Sequence, residues 1–292
     1  MEFKVFIDGK YYPKSEAKIS VYDHGLLYGD GIFEGIRVYD GNIFKLDAHI
    51  ERLYESAKTI MLNIPMKIDE MKKACAEAVR TNGLRDAYLR VMVTRGLGDL
   101  GLDPRKCKKA SVIIIVDNIK MFDQKWYKNG LEVAIVSTTR NFADALSPKV
   151  KSLNYLNNIM AKIEANNVNA AEGIMLNTNG YVTEGTGENL FIVKKGIVRT
   201  PPTYDGALEG VTRNAIIDIV NALGMKCEKK TLTRHDLYNA DECFLTGTAA
   251  EVMPVVKIDG RVVRDGKPGP IYKKLLGEFR KIVKTDGYKV YK

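Results

Sequence analysis

Short runs of alternating apolar and polar residues, closed by tight turns, constrain the fold of this chain most. Asp8-Gly9, Asp40-Gly41 and Asn179-Gly180 are turn dipeptides, and each stands between two runs that have the period of a β-strand. Amphipathic helical patterns lie between these hairpins, and the sequence has no internal repeat. Hairpins mixed with helices predict an α+β chain of two domains, with a cleft between them as the expected ligand site.

A change of pattern before the middle of the chain predicts where the domains meet. The polar, weakly periodic segment DNIKMFDQKWYK follows two strand-like runs and precedes the strand-like run LEVAIVST. We therefore expect a small N-terminal domain over residues 1–117, a linker over residues 118–128 and a large C-terminal domain over residues 129–292.

The formal net charge of +9 invites a nucleic-acid interpretation, because basic proteins bind phosphate backbones. Lysines and arginines are interleaved with acids, however, and only the C-terminal tail is locally basic. The longest apolar run, VIIIV, is far shorter than the roughly 20 residues that cross a bilayer. The four cysteines and three histidines lack the spacing of a metal site. The sequence predicts a cytoplasmic protein without nucleic-acid, membrane or metal partners.

Two turns have the composition of anion-binding sites. Gly210-Val211-Thr212 opens an amphipathic helix, where unpaired N–H groups and the helix dipole favour a phosphate. Thr246-Gly247-Thr248-Ala249 again combines small residues with hydroxyl groups. An ordinary helix cap is the alternative for Thr212. Neither turn is a Walker loop or a dinucleotide fingerprint, so a nucleotide is not the expected ligand.

Two further segments supply a nucleophile and an acid. SPKVKSLNYLNN carries Lys149, Lys151 and Tyr155 beside a turn, and VTEGTGEN carries Glu184 and Glu188. A solvated loop lysine or an ordinary turn acid would explain either segment alone. A lysine nucleophile, an acid and two anion-binding turns together are the components of a pyridoxal phosphate site.

Seven segments, in their order along the chain, resemble the fold-type IV pyridoxal phosphate aminotransferases and, within them, the archaeal-type branched-chain amino acid aminotransferases. The resemblance implies the two-domain architecture of that family and pyridoxal 5′-phosphate as the cofactor. The segments are YDHGLLYGDGIFEGIRVYDG, HIERLYESAK, DAYLRVMVTRGLGDLGLDPR, VKSLNYLNN, VTEGTGENLF, LEGVTRNAI and TGTAAEVMPV.

The resemblance also implies which residues hold the cofactor. Lys151 would form the Schiff base and shuttle the proton between the substrate Cα and the cofactor C4′, with Lys149 as a bystander. Tyr155 would share a helical face with Lys151 and contact the phenolic oxygen, while Glu184 would hold the proton on the pyridine nitrogen. The other implied contacts are Arg52, Val211, Thr212 and Thr248 on the phosphate and Leu208 against the ring.

For the substrate, the resemblance implies a pocket that accepts both apolar and carboxylate side chains. Arg90 would bind the γ-carboxylate of glutamate or 2-oxoglutarate, and Thr248-Ala249 would hold the α-carboxylate. Met121 and Phe122 replace a tryptophan and a tyrosine of several relatives, which leaves the side-chain preference open. The implied apolar walls are Tyr28, Phe33 and Tyr88, and Leu102 would come from a neighbouring subunit of a homo-oligomer, either a dimer or a dimer-built hexamer.

The implied reaction is a reversible, ping-pong transamination between L-leucine, L-isoleucine or L-valine and 2-oxoglutarate. D-Amino acid aminotransferase shares this machinery, but its R-x-H motif after V-T-R-G is missing. Aminodeoxychorismate lyase shares the cofactor, whereas Tyr88-x-Arg90 and GLGDLGLDP favour transamination. Both enzymes remain alternatives.

Overall fold

The structure is a computed structural model that describes residues 2–118 and 123–291. Contacts divide the chain into two compact units. The first unit groups the described residues up to 118 with Val150–Asn154 and residues 282–291, and the second groups residues 123–149 with Tyr155–Lys281. The domain boundaries expected from the sequence stay a prediction. Met121 and Phe122, in the expected linker, lie outside the described residues.

Strands of the described residues form two sheets, one in each unit. In chain order they are β1 (Lys4–Ile7), β2 (Lys10–Pro13), β3 (Gly31–Tyr39), β4 (Asn42–Phe44), β5 (Ala87–Thr94), β6 (Ser111–Asp117), β7 (Leu131–Ile135), β8 (Glu172–Leu176), β9 (Val182–Gly185), β10 (Asn189–Lys194), β11 (Ile197–Thr200), β12 (Cys227–Lys229), β13 (Glu242–Gly247), β14 (Glu251–Ile258), β15 (Arg261–Val262) and β16 (Gly287–Lys289).

Helices lie between these strands, and this confirms the predicted α+β class. None of the helices in the described residues combines the length and the apolar character that a bilayer-spanning segment needs. The helices are α1 (His24–Tyr28), α2 (Leu46–Thr59) and α3 (Ile68–Thr81) in the first unit, and α4 (Gln124–Asn129), α5 (Ala143–Leu146), α6 (Leu156–Asn167), α7 (Val211–Ala222), α8 (Arg234–Tyr238) and α9 (Pro270–Ile282) after it.

The sheet of the first unit has the order β16-β4-β3-β5-β6-β1-β2. Its centre is the antiparallel pair β3 and β5, in register from Gly31 opposite Thr94 to Val38 opposite Ala87. Apolar side chains on one face of this pair pack against α2 and α3 in one core. Because side chains alternate along a strand, Phe33, Tyr88 and Arg90 share the opposite face.

The sheet of the second unit has the order β12-β11-β10-β13-β14-β7-β8-β9, with β15 beside β14. Three of its connections carry the segments that the sequence analysis singled out. The predicted Asn179-Gly180 turn joins β8 to β9, and Gly180 adopts the left-handed backbone, φ +77°, that such a turn requires. The segment from Gly185 to Glu188 joins β9 to β10, and residues 248–250 join β13 to β14.

Helix α6 begins at Leu156, with Tyr155 as its N-cap residue, which is later than the sequence predicted. Lys151 therefore precedes the helix, and the expectation that Lys151 and Tyr155 share a helical face is wrong. The reason is tertiary, because the Phe33 N–H donates to the Lys151 carbonyl at 2.9 Å and the Leu153 N–H donates to the Gly31 carbonyl at 2.8 Å. These groups bond to β3 instead of forming a first helical turn.

Candidate active site

Lys151 lies in a short extended segment against β3. Besides its carbonyl contact with Phe33, its own N–H donates to the Ser56 hydroxyl of α2 at 3.2 Å. The Lys151 Nζ atom lies 4.7 Å from the centroid of the Phe33 ring, within cation–π distance. Backbone hydrogen bonds therefore fix the Cα from which this amine extends, and an aromatic face receives its charged end.

Three of the predicted substrate residues come together beside this lysine, on one face of β3 and β5. The Arg90 guanidinium carbon lies 4.6 Å from the centroid of the Phe33 ring and 5.7 Å from that of Tyr88. A Cβ atom on Gly35 would lie 1.9 Å from the Tyr88 hydroxyl, so the glycine makes the space that this tyrosine occupies. Two aromatic faces and a guanidinium can receive either an apolar or a carboxylate side chain.

Tyr28 and Leu102 lie in a different part of the first unit. Tyr28 ends α1, and its hydroxyl donates to the Leu100 carbonyl at 2.5 Å. Its ring meets the buried His24 ring edge-on, with centroids 5.1 Å apart. Leu102 is 78% exposed. The substrate contacts of Tyr28 and the donation of Leu102 to a neighbouring subunit stay predictions.

Arg52, the predicted phosphate ligand, is held by a buried carboxylate of β3. Its Nε donates to Glu34 Oε1 at 2.7 Å and its Nη2 donates to Glu34 Oε2 at 2.8 Å, while His49 Nδ1 lies 2.8 Å from the same Oε2. Burial raises the pKa of Glu34, but the charges of Arg52 and His49 outweigh it and lower that pKa to about 2. Glu34 thus orients the guanidinium as a carboxylate.

Burial in turn lowers the pKa of His49, although Glu34 opposes this effect. A neutral His49 must carry its proton on Nδ1 to donate to the carboxylate. Sequence analysis missed both Glu34 and His49. The signal available was an acid between Ile32 and Ile36, at a position where alternation points the side chain towards an apolar face.

In the second unit, Glu184 is the centre of a buried polar network. Its side chain is 6% exposed, and its Oε1 accepts from Arg140 Nε at 3.0 Å. Its Oε2 accepts from the Leu208 N–H at 2.9 Å and from Asn189 Nδ2 at 3.2 Å. Arg140 also donates to the Oδ1 atom of Asn158 at 3.2 Å. Sequence analysis missed these three partners, Arg140, Asn158 and Asn189.

The first predicted anion-binding turn is tied to this network through Asn189. Asn189 Nδ2 also donates to the Leu208 carbonyl at 2.8 Å, and a Cβ atom on Gly210 would lie 1.9 Å from Asn189 Oδ1. Helix α7 then begins with Gly210 as N-cap and without a side-chain cap. Thr212 is therefore buried in the first turn and is not the cap, so the alternative interpretation of this residue is wrong.

The second predicted turn, Thr248-Ala249, closes the β13–β14 hairpin. Glu251, directly after it, adopts a left-handed backbone at φ +55°, and its Oε2 accepts from Arg280 Nε at 3.1 Å. At the other end, Thr246 pairs with Asn189 across the strands. The buried Thr246 hydroxyl has no hydrogen-bond partner within the described part of the chain. A site with a polar ligand is one explanation for such a group.

The comparisons with known proteins agree with this geometry. The family model for amino-transferase class IV matches residues 31–258. A relative from Methanocaldococcus jannaschii, named for branched-chain-amino-acid aminotransferase activity, is 49% identical over 288 residues that cover 99% of each chain.

Two solved structures extend the likeness to the fold. The branched-chain aminotransferase from Thermoproteus uzoniensis with norvaline is 40% identical, with a TM-score of 0.93 over the whole of both chains. The branched-chain amino acid aminotransferase of the organism abbreviated T.th., complexed with N-(5′-phosphopyridoxyl)-L-glutamate, is 37% identical, with a TM-score of 0.92 over 97% of this chain and 95% of that one. They confirm the predicted fold-type IV architecture, and the chain belongs to the class IV amino-transferase family.

Proposed function

We propose that this protein is a pyridoxal phosphate-dependent branched-chain aminotransferase that moves an amino group between L-leucine, L-isoleucine or L-valine and 2-oxoglutarate. The observation that carries the proposal is that one aromatic ring, Phe33, lies 4.7 Å from the Lys151 amine and 4.6 Å from the Arg90 guanidinium. A reactive amine thus stands beside a surface that suits both an apolar side chain and a carboxylate. Family membership supports the amino-transfer chemistry.

The chemistry of the donor groups fits pyridoxal 5′-phosphate. Glu184 is a buried acid next to Arg140, which suits a partner with a protonated ring nitrogen. The N-terminus of α7 has no side-chain cap, so its first N–H groups suit a phosphate. Arg52, oriented by Glu34, adds a guanidinium for the same group. The unpartnered Thr246 hydroxyl, opposite Asn189, is a further polar group that a ligand would satisfy.

When bound, pyridoxal phosphate supplies a carbonyl that accepts an amine and a ring that withdraws electrons from the substrate Cα. Lys151 supplies the amine that holds the cofactor, and the same amine moves the proton at the substrate Cα. Glu184 holds the proton on the ring nitrogen. Tyr155 contacts the phenolic oxygen, and Leu208 packs against the ring.

Phosphate binding in this proposal uses two kinds of donor, N–H groups of a helix start and a guanidinium. Val211 and Thr212 present the first N–H groups of α7, and Thr248 adds a hydroxyl from the hairpin turn. Arg52 donates from α2. The backbone of Thr248 and Ala249 binds the substrate α-carboxylate, so one turn serves both ligands.

Dual substrate recognition follows from the properties of Phe33, Tyr88 and Arg90. An aliphatic side chain packs on the aromatic faces, and Tyr28 adds a further ring. The γ-carboxylate of glutamate or 2-oxoglutarate takes hydrogen bonds from Arg90, which already lies 3.4 Å from the Tyr88 hydroxyl. The two amino acids then bind alternately, and the kinetics are ping-pong.

The assembly and the location also belong to this proposal. We expect a homo-oligomer, a dimer or a dimer-built hexamer, in which Leu102 reaches the site of a neighbouring subunit. Its 78% exposure within one chain leaves its side chain available for that role. We expect the enzyme in the cytoplasm. Light scattering during size-exclusion chromatography measures the assembly, and a monomer that retains full activity would contradict it.

The test of the proposed function is the visible spectrum of the holoenzyme before and after addition of L-leucine, with D-alanine added to a parallel sample. We expect L-leucine alone to abolish the visible band of the cofactor, and 2-oxoglutarate to restore it with release of glutamate. Lys151→Ala should remove turnover, whereas the matched variant Lys149→Ala should retain it.

Three outcomes would contradict the proposal. A response to D-alanine alone would favour a D-amino acid aminotransferase, and release of pyruvate from aminodeoxychorismate would favour the lyase. Normal transamination by Lys151→Ala would show that another group is the base.

A further inference from the structure

The proposed function leaves Glu188, the second acid of the V-T-E-G-T-G-E-N segment, without a role. Glu188 ends the connection between β9 and β10, and the Gly185 N–H donates to its carbonyl at 2.7 Å. The residue before this connection is Glu184, and the residue after Glu188 is Asn189, which donates to Glu184 Oε2 at 3.2 Å. Any change at Glu188 thus acts on a turn whose two flanking side chains are bonded to each other.

The Glu188 carboxyl group meets a second carboxyl group, that of Glu172 at the start of β8, and the two are hydrogen-bonded. Glu172 is 7% exposed, and its Oε1 accepts from the Thr186 N–H at 2.7 Å, within the same turn. Gly185 lies against both acids: a Cβ atom there would be 3.4 Å from Glu172 Cγ and 3.6 Å from Glu188 Oε2. The pair is therefore in contact with the turn at several atoms.

The charges around this pair do not balance two carboxylates. Lys162 of α6 donates to Glu172 Oε2 at 3.1 Å and also to the Ala171 carbonyl at 2.6 Å. A cavity of about 340 Å³ borders the pair on its other side. Helix α4 and strands β7, β13 and β14 contribute apolar side chains to this cavity, namely Trp126, Leu131, Leu245 and Met253.

Two carboxyl groups in contact, with one ammonium and apolar neighbours, cannot both be ionised at low cost. Burial raises the pKa of Glu188, and the charge of Glu172 raises it further, to about 8. A protonated Glu188 donates its O–H to Glu172 and removes the repulsion. The same hydrogen bond cannot form once Glu188 has released its proton to solvent.

We propose that Glu172 and Glu188 share one proton near neutral pH, and that this shared proton positions the turn between Glu184 and Asn189. Glu188 is then a positioning residue that acts on the cofactor through Glu184, so this part of the inference rests on the proposed function. Glu188 also reaches the second turn, because a Cβ atom on Gly247 would lie 3.1 Å from Glu188 Cγ. Loss of the proton thus disturbs both turns.

The first experiment detects the proton itself and needs no activity. Infrared spectra of the holoenzyme are recorded from pH 6 to pH 10 and compared with those of Glu188→Gln. We expect a carbonyl band of a protonated carboxyl group in the wild type at pH 7, lost with a midpoint near pH 8 and missing from Glu188→Gln. The absence of this band at pH 7, or its persistence in Glu188→Gln, would overturn the shared proton.

A second variant, Glu172→Gln, keeps the inference testable if Glu188→Gln folds poorly. It removes the charge that repels an ionised Glu188, so the band should disappear at a lower pH than in the wild type. An unchanged midpoint would contradict the pairing. The exposed acid Glu278, paired with Lys281 at 2.7 Å, provides the matched control Glu278→Gln, which should leave the infrared titration unchanged.

The positioning role is tested by the rate at which the holoenzyme releases pyridoxal 5′-phosphate. The ionised fraction of a group with a pKa near 8 rises about tenfold between pH 7 and pH 9, so release from the wild type should accelerate by up to about tenfold. Glu188→Gln, which cannot ionise, should show a flat profile over this range. Equal pH profiles for both proteins would overturn the positioning role.

The outcomes separate this inference from the proposed function. A chain that binds no pyridoxal phosphate but shows the infrared titration would contradict the function and leave the proton pair intact. A chain that transaminates L-leucine, but whose Glu188→Gln variant matches the wild type in both assays, would contradict this inference alone.

Discussion

Replacing Glu34 by glutamine tests whether a buried carboxylate stabilises the first unit through Arg52. Glu34 is fully buried, and the folded chain lowers its pKa from the usual 4.5 to about 2. This difference corresponds to about 3 kcal/mol of stabilisation of the folded state. Glu34→Gln keeps the shape of the side chain but removes the charge, so we expect a loss of about 3 kcal/mol at pH 7.

The pH dependence of that loss follows from the sign of the shift. Because the pKa is lower in the folded chain than in the unfolded chain, the stabilisation is fully present above the unfolded value of 4.5. It decreases by about 1.4 kcal/mol per pH unit as the pH falls from there towards 2. The wild type and Glu34→Gln should therefore approach each other in stability between pH 5 and pH 3.

Urea unfolding of the cofactor-free chain at pH 7, 5 and 3.5 measures the difference. The matched control is Glu77→Gln, which removes an exposed acid paired with Arg80 on α3 of the same unit. An exposed pair of this kind contributes at most about 1 kcal/mol. A loss below about 1 kcal/mol for Glu34→Gln at pH 7, or a loss that does not shrink at pH 3.5, would refute the reasoning.

Two further predictions concern ligand contacts. Gly35→Ala places a methyl group 1.9 Å from the position of the Tyr88 hydroxyl, so we expect a higher KM for L-leucine with the fold intact, and partial recovery in the double variant with Tyr88→Phe; a KM unchanged from the wild type would contradict this. Arg140→Met leaves the buried Glu184 carboxylate without its ion-pair partner, which costs about 3 kcal/mol in comparable sites. Titration of the cofactor-free variant with pyridoxal phosphate should show an affinity at least about tenfold lower, and an affinity equal to that of the wild type would refute the role of Arg140.

Local sequence features predicted the parts of the fold whose causes are local. Helices α2 and α3 begin at Leu46 and Ile68, within one residue of the predicted starts. The Asn179-Gly180 hairpin forms where the turn dipeptide stands. Propensity, periodicity and turn chemistry act over a few residues, so a single sequence contains this information.

The start of α6 shows where local information ends. The apolar pattern from Leu153 onwards favours a helix, yet the chain stays extended until Leu156. The competing hydrogen bonds come from Gly31 and Phe33, more than a hundred residues earlier in the chain. No pattern around Lys151 contains the position of those partners, so the extended backbone at this lysine could not be predicted.

The candidate site divides in the same way. Chemistry-bearing residues such as Lys151 and Glu184 stood out in the sequence because their segments resemble those of a family. The residues that orient Arg52 and Glu184, namely Glu34 and Arg140, became visible only in the structure. Each is separated from its partner by 18 and 44 positions respectively.

What the sequence determined is therefore the class of fold, the family and the reactive groups. What only the tertiary structure decided is which buried acid holds a charge and which holds a proton. Glu34 faces a guanidinium and is ionised, whereas Glu188 faces a second carboxyl group and retains its proton in our proposal. The same side chain behaves in opposite ways because its pKa depends on the charges that folding brings next to it.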